Sequence, residues 1–302
     1  MIDDDSDDED TTSTLPRRQL GRLLRQAREG TGMSLEHAAR LMEWGKSTLG
    51  RLERGEKDSV RDREIDDLID LYGVDEEKAA AIRQLAGQAP TRPWWRSYND
   101  VMTAKFNIYV GLEAGAEAVA IFQPIIVPGL IQTAAYARAL DRKFFSEDSD
   151  ENIERRVDLR LKRQHLIKRR RKPVELTVVL HESVLRTIVG NRRVMAEQLR
   201  YLLDLSSRDN IRIRILRFNA GFPTGTVVSQ FILLVFPKDA KGKPVEPTIV
   251  FVESFAGDAY LEQNDDVRRC RETFRKLWEA AMDDRASRDF IRELAREYEN
   301  ER

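Results

Sequence analysis

Met33-Ser34-Leu35-Glu36-His37-Ala38-Ala39-Arg40-Leu41-Met42, then Glu43-Trp44-Gly45, then Lys46-Ser47-Thr48-Leu49-Gly50-Arg51-Leu52-Glu53-Arg54-Gly55 is the stretch whose reading decides the amino-terminal fold. Ser34 is a good N-cap, and Leu35, Ala38, Ala39 and Met42 behind it fall on one helical face. After the three-residue break a second helix runs from Lys46 to Arg54, with Leu49 and Leu52 inward and Gly55 as its stop. Working outward, Leu20, Leu23, Leu24 and Ala27 form the face of a preceding helix that Gly30 and Gly32 end. Ile65, Leu68, Ile69 and Tyr72, closed by Gly73, form a fourth, and Ala79, Ile82 and Leu85 mark a shorter fifth. The expectation is an all-α domain of five helices over residues 15–88.

Two short helices joined by a glycine-containing turn describe a helix-turn-helix, whose second helix enters the major groove of double-stranded DNA. The residues it would present to base edges are Lys46, Ser47 and Thr48, with Arg51 one turn later. Lys and Arg donate to guanine O6 and N7, whereas Ser and Thr are less selective. Arg18, Arg22, Arg40 and Arg54 are the expected phosphate contacts. Residues 17–57 hold ten basic and five acidic side chains, a net +5 that suits a phosphate backbone. Periodicity taken without the recognition-helix residues would equally fit a helical bundle that binds only protein.

The same residues carry a resemblance. Residues 33–42 followed by 45–55, above all Ser-Thr-Leu-x-Arg-Leu-Glu-x-Gly, resemble the Xre family of phage-repressor-type regulators. One departure is Leu35, where that family commonly opens its second helix with a polar residue, often Gln. The resemblance implies a phage-repressor-like fold and a regulator of transcription. A homodimer is expected, because the motif usually reads two half-sites one helical turn apart.

Composition sets the bounds. Of 302 residues, 41% are hydrophobic, enough for folded cores, and 34% are charged with nearly balanced signs. Residues 1–14 hold seven acidic and no basic side chains, the pattern of a disordered acidic tail. No apolar run approaches a membrane span and no signal-peptide pattern opens the chain, so the expected compartment is the cytosol. Cys270 is the single cysteine, which excludes an intrachain disulfide, and the three histidines, His37, His165 and His181, form no metal-ligand spacing. Cofactors and metals are therefore not expected.

Pro90, Thr91 and Pro93 mark a linker over 89–96, ahead of a larger α+β or mixed α/β domain over 97–302. Its first part, to about residue 170, reads as helices, including Leu130–Leu140 and the charged segment 152–171. Residues 175–180, 211–215, 231–236 and 249–252 read as strands. A helix over about 191–206 between the first two of these allows parallel pairing. Two helical faces close the chain, one through Val267, Cys270, Phe274, Leu277, Trp278 and Ala281, the other through Phe290, Ile291, Leu294 and Tyr298. Trp94-Trp95, Tyr109-Val-Gly-Leu-Glu113, Val127-Pro-Gly-Leu-Ile-Gln-Thr133 and Tyr136-Ala-Arg-Ala139 resemble an uncharacterised domain that follows the Xre-type module in many regulators of filamentous soil bacteria. Arg163-Gln164, His181-Glu182 and Gln198-Leu199 fit the same resemblance. Some such relatives are antitoxin-like and act beside a small partner protein.

Several features carry more than one reading. Trp94 and Trp95 suit core packing at a domain entrance, or the wall of a ligand pocket. Glu113, Gln132, Tyr136 and Arg138 suit a small-molecule or partner site near a Pro-Gly turn, or helix caps and surface contacts. Ten basic residues between 155 and 172 suit a solvated helix face, a second phosphate contact or a surface for an acidic partner. The acidic tail could also fold back on that run or on the recognition helix. Phosphate loops, nucleophile elbows and paired histidines are missing, and His181-Glu182-Ser183, being consecutive, cannot form a relay, so no catalytic residue is expected. The expectation is a sequence-specific regulator whose second domain senses a small-molecule effector or a partner. The alternative is an antitoxin-like interaction module that binds a small protein encoded nearby.

Overall fold

A computed structural model describes residues 15–57, 60–88, 93–238, 242–255 and 257–300. The expected acidic tail and residues 89–92 of the expected linker lie outside these. The chain divides into two compact units. The first holds residues up to Ser97, then 106–115 and, from far along the chain, a segment ending at Glu246. The second holds the remainder. Two pieces beyond residue 97 thus group with the amino-terminal helices.

The first unit contains the five expected helices: α1 (Leu15–Gly30), α2 (Leu35–Leu41), α3 (Lys46–Glu53), α4 (Asp62–Tyr72) and α5 (Glu76–Gln88). A 3-10 segment from Trp94 follows, and α6 (Ala104–Gly115) contributes residues 106–115. Leu20, Leu24, Ala38, Ala39, Leu49, Leu52, Ile65, Leu68, Ile69, Tyr72, Ala79 and Ile82 form one buried cluster, so each periodic face read from the sequence does meet the others. α1 and α3 approach closely at Gly21. A Cβ on Gly21 would lie 2.6 Å from the Glu53 carbonyl oxygen, so only glycine lets α1 cross the end of α3 at this depth. Gly55, with φ +71°, ends α3 in the left-handed conformation and lies against the backbone of Arg18.

The second unit is built on a six-stranded sheet in the order β3-β2-β1-β4-β5-β6. The strands are β1 (Ala118–Gln123), β2 (Glu175–His181), β3 (Ile211–Leu216), β4 (Phe231–Val235), β5 (Ile249–Val252) and β6 (Ala259–Leu261). β1, β2 and β3 run parallel, while β4, β5 and β6 pair antiparallel. Between β1 and β2 come α7 (Ala134–Phe144), α8 (Asp150–Arg163) and α9 (His165–Lys168). Between β2 and β3 come α10 (Glu182–Arg186) and α11 (Arg192–Leu205), and α12 (Asn264–Ala280) and α13 (Asp284–Asn300) close the chain. Phe122, Val179, Leu216, Phe231, Leu233 and Val250 form one face of the core with Val267 and Leu277 of α12. Ile121, Val178, Leu180, Ile213 and Leu234 are buried on the other, so this sheet is covered on both sides.

The parallel pairing of β2 and β3 around α11 is as the sequence allows. Reading everything up to residue 170 as helical is corrected by β1, which lies inside the sheet between β2 and β4. Ala118-Val-Ala-Ile-Phe122, ahead of Gln123, is a five-residue apolar run without polar alternation, and periodicity does not separate such a run from a buried helix. The helix expected from Leu130 begins at Ala134, capped by the Thr133 hydroxyl, because Gly129–Ile131 forms a 3-10 turn instead. β6 has three residues, too few to show a period.

Replacing Gly21 by Ala is expected to destabilise the first unit by about 2–3 kcal/mol through overpacking against α3, the upper range for small-to-large changes. Thermal melting of the full chain followed by tryptophan fluorescence checks this, and an unchanged transition would mean that α1 can move aside without cost.

Candidate nucleic-acid interface

Ser34 opens α2 as expected, its hydroxyl accepting from the His37 N–H at 3.1 Å. The exit from α2 was not legible. Glu43 takes φ +56°, and the Trp44 N–H donates to the Ala39 carbonyl at 2.8 Å while that of Glu43 donates to Arg40 at 3.1 Å. This left-handed cap ordinarily favours glycine, and here a glutamate fills it. The four residues Met42 to Gly45 then turn the chain into α3. Gly45 caps α3 without a side chain, leaving its amino end open.

Along α3, Lys46, Ser47 and Arg51 are exposed and Thr48 is half-buried, while Leu49, Gly50, Leu52 and Glu53 face inward. The four residues expected to meet bases therefore share the outer side of one helix. Leu35, the departure noted above, packs over Gly50 and joins the core from its edge. An apolar contact replaces whatever a polar side chain would do there.

What holds α3 in place is a buried ion pair. The Arg28 guanidinium of α1 grips the Glu53 carboxylate at two points, 2.6 and 2.9 Å, and donates a third bond to the Met33 carbonyl at 2.7 Å. Both side chains are less than a tenth exposed. The bond to Glu53 raises the Arg28 pKa further, against the opposing effect of burial. Nearby, burial first and the Glu53 charge second push the Tyr72 phenol up to about 12. Its hydroxyl is buried and finds no hydrogen-bond partner among the described residues. Glu53 stands inside the motif that marks α3, but nothing local identifies Arg28 as its partner 25 residues away.

The residues expected at phosphates differ in their surroundings. Arg40 is exposed and forms no ion pair among the described residues. Arg51 likewise meets no carboxylate and reaches only the Glu56 carbonyl, at 3.4 Å. Arg54 is exposed and held by both oxygens of Glu56 at 2.9 Å. Lys46 lies 3.5 Å from Glu36 in an exposed pair, which contributes little and separates readily. Arg18 and Arg22 are half-buried against the returning segment: Arg22 meets Glu246 at 2.9 Å and the Val245 carbonyl at 2.7 Å, and Arg18 meets Glu246 at 3.4 Å. Gln19 adds a bond to Val245 at 2.9 Å. Glu246, itself buried, is a partner that no local pattern could announce.

The residues singled out for a ligand or partner site fall in both units. In the first, Trp95 is fully buried, donates to Asn107 at 3.1 Å and meets Trp94 edge-on at 5.7 Å. Glu113 is also fully buried and accepts from the Tyr109 hydroxyl at 2.6 Å. In the second, Gln132 donates to the Val127 carbonyl at 2.6 Å and the buried Tyr136 hydroxyl accepts from the Val127 N–H at 3.2 Å, so both hold the turn before α7. Arg138 is paired at two points with Glu154. Gln164 and Gln198, both buried, complete the knot by bonding the carbonyls of Gln132 and Ile131 at 2.6 and 2.7 Å. The basic run is largely matched along α8: Arg155 with Asp100, Arg156 with Asp148, Arg160 with Asp141, and Lys162 with Asp158. No helix among the described residues is long and apolar enough to cross a membrane, and no group of three metal-ligating side chains occurs among them.

A helix-turn-helix domain family matches residues 19–82, and the family described as a domain of unknown function (DUF5753) matches residues 106–293. No curated protein and no solved structure matches the chain.

Glu53→Ala is expected to destabilise the first unit by about 3–5 kcal/mol, since it leaves Arg28 buried without its counterion, while Arg28→Met with Glu53→Leu recovers most of the loss. Urea unfolding of the parent and the two variants measures this; Glu53→Ala as stable as the parent would remove the pair from its supporting role. Tyr72 gives a pH signature. Its folded pKa is raised, so its contribution is complete below the ordinary value near 10 and declines as pH rises toward 12. Tyr72→Phe should lose that alkaline decline and match or exceed the parent at neutral pH. Melting temperatures between pH 8 and pH 12, roughly spanning that window, read both effects.

Proposed function

Because the chain belongs to the DUF5753 family and carries a helix-turn-helix domain ahead of that region, we propose that it is a sequence-specific transcription regulator of the Xre type. The observation that carries this reading is the outer side of α3. Lys46, Ser47 and Arg51 are exposed on a helix whose inner side is fixed by Leu49, Leu52 and the Arg28–Glu53 pair. Arg40 and Arg51, free of carboxylates, can meet DNA without first breaking an ion pair. Arg54 must exchange Glu56 for a phosphate, an exposed pair that costs little to open. Arg18 and Arg22 must leave Glu246, so they enter the contact only if the returning segment moves.

In this reading the protein works in the cytoplasm as a homodimer on two half-sites, and its second unit is a non-catalytic domain that senses an effector. A partner protein is a second reading for that unit, including an antitoxin-like role. Ile125, Phe218 and Phe222 are 62, 57 and 73% exposed near the carboxyl ends of β1 and β3, where the Phe218 ring meets His181. Exposed apolar side chains of this size favour a protein surface over a small ligand.

Fluorescence anisotropy on the protein's own upstream DNA, against scrambled DNA across a salt series, tests the proposal. Selective binding that weakens steeply with salt is expected. Arg51→Ala, and Lys46→Ala with Ser47→Ala, should abolish selectivity, each lost base contact contributing about 1–3 kcal/mol, while circular dichroism stays unchanged. Selective binding retained by both variants would exclude α3 as the reading helix.

A further inference from the structure

β3 is an edge strand of the sheet, and a cavity of about 190 Å³ lies beside it. Arg208, Arg212 and Arg288 line it, with Ser206 and Ser207 between them. Several arginines elsewhere on this unit meet carboxylates: Arg138 with Glu154, Arg142 with Asp150, Arg186 and Arg217 with Glu182. The three at the cavity do not. Arg208 reaches only the Lys168 carbonyl at 3.5 Å, and Arg288 only that of Ser206 at 3.4 Å. Arg212 is exposed and has no hydrogen-bond or ion-pair partner among the described residues. Of the two carboxylates in the wall, Asp284 is engaged by Arg214 at 2.6 Å, which leaves Asp209 alone against three guanidinium groups.

The strand adds a donor. The Ile215 N–H bonds the Ser287 hydroxyl at 3.0 Å and its carbonyl accepts from the Met282 N–H at 3.0 Å, so the backbone of Ile215 faces away from β2. By the two-residue period of a strand, the backbone of Ile213 faces the same way, and Ile213 lines the cavity. The Ser206 and Ser207 hydroxyls donate to the Leu203 carbonyl at 2.7 and 3.2 Å, so the free donors are the guanidinium forks and the outward N–H, which together match an oxyanion with several acceptor oxygens. A monocarboxylate would occupy one fork, whereas a phosphate dianion can engage all three.

We propose that this cavity binds the phosphate group of a small phosphate-bearing molecule. This goes beyond the regulator reading and does not depend on it, since binding is read without DNA. Inorganic phosphate is the probe: its 31P line width is followed as the full chain is titrated in at constant ionic strength set with chloride. Saturable broadening is expected. Arg208→Ala and Arg212→Ala should each weaken the apparent affinity about tenfold, the loss of one charge-assisted contact. Arg51→Ala should leave it unchanged, which separates this site from the DNA-binding surface. Acetate at equal concentration should not displace the phosphate. The proposal is overturned if the wild type gives no broadening, or if Arg208→Ala with Arg212→Ala, folded by circular dichroism, broadens the line equally. Displacement by acetate, or loss of binding in Arg51→Ala, would overturn it as well.

Discussion

The contact between α1 and α3 carries the amino-terminal unit. Two glycines, Gly21 and Gly55, bring the backbones of the two helices close enough for the Arg28 guanidinium to reach Glu53 from the inner side of α3. A buried ion pair is seldom a net gain in stability over apolar packing, because both ions lose their water. Its value lies in direction. A bidentate fork tolerates little rotation or sliding, so α3 is held in one register relative to α1 while its outer side stays solvated. Leu49 and Leu52 supply the apolar driving force, and the pair determines where that force leaves Lys46, Ser47 and Arg51.

The second unit solves a different problem. A sheet buried on both faces offers little polar surface inside, so its polar groups collect at strand ends and helix starts. Gln132, Gln164 and Gln198 satisfy backbone groups around the turn before α7, and Tyr136 closes the same knot. These side chains look like ligand-site residues in a linear sequence because buried polar groups and binding groups draw on the same chemistry. Their engagement in internal hydrogen bonds is what distinguishes the packing role. The charge run on α8 has a similar outcome, since most of its cations meet carboxylates from elsewhere in the chain. Three arginines without carboxylates share the cavity beside β3.

How much was legible follows from the range of each interaction. Ser34, Gly55 and the leucines of α3 act within a turn or two, and their roles could be read directly. The strands after residue 170 were legible because Ile211, Ile213 and Ile215 alternate with arginines and the others are long apolar runs. β1 was missed, although it lies inside the sheet, since Ala118 and Ala120 are helix-favouring residues that dilute the β-branched composition of its short apolar run. The left-handed cap at Glu43 was missed because its residue type does not favour that conformation.

The sequence by itself determined the five amphipathic helices, the helix-turn-helix and the residues that face outward from it, because periodicity and capping are local consequences of backbone geometry. It also determined a mixed second domain with four of its six strands. That Arg28 answers Glu53, that Glu246 returns to occupy Arg18 and Arg22, and that Arg208, Arg212 and Arg288 share one cavity depends on the folded chain. Each of these joins charges separated by tens to hundreds of residues. An electrostatic partner leaves no periodic trace in a linear chain, since attraction depends on distance in space and not on spacing along the backbone.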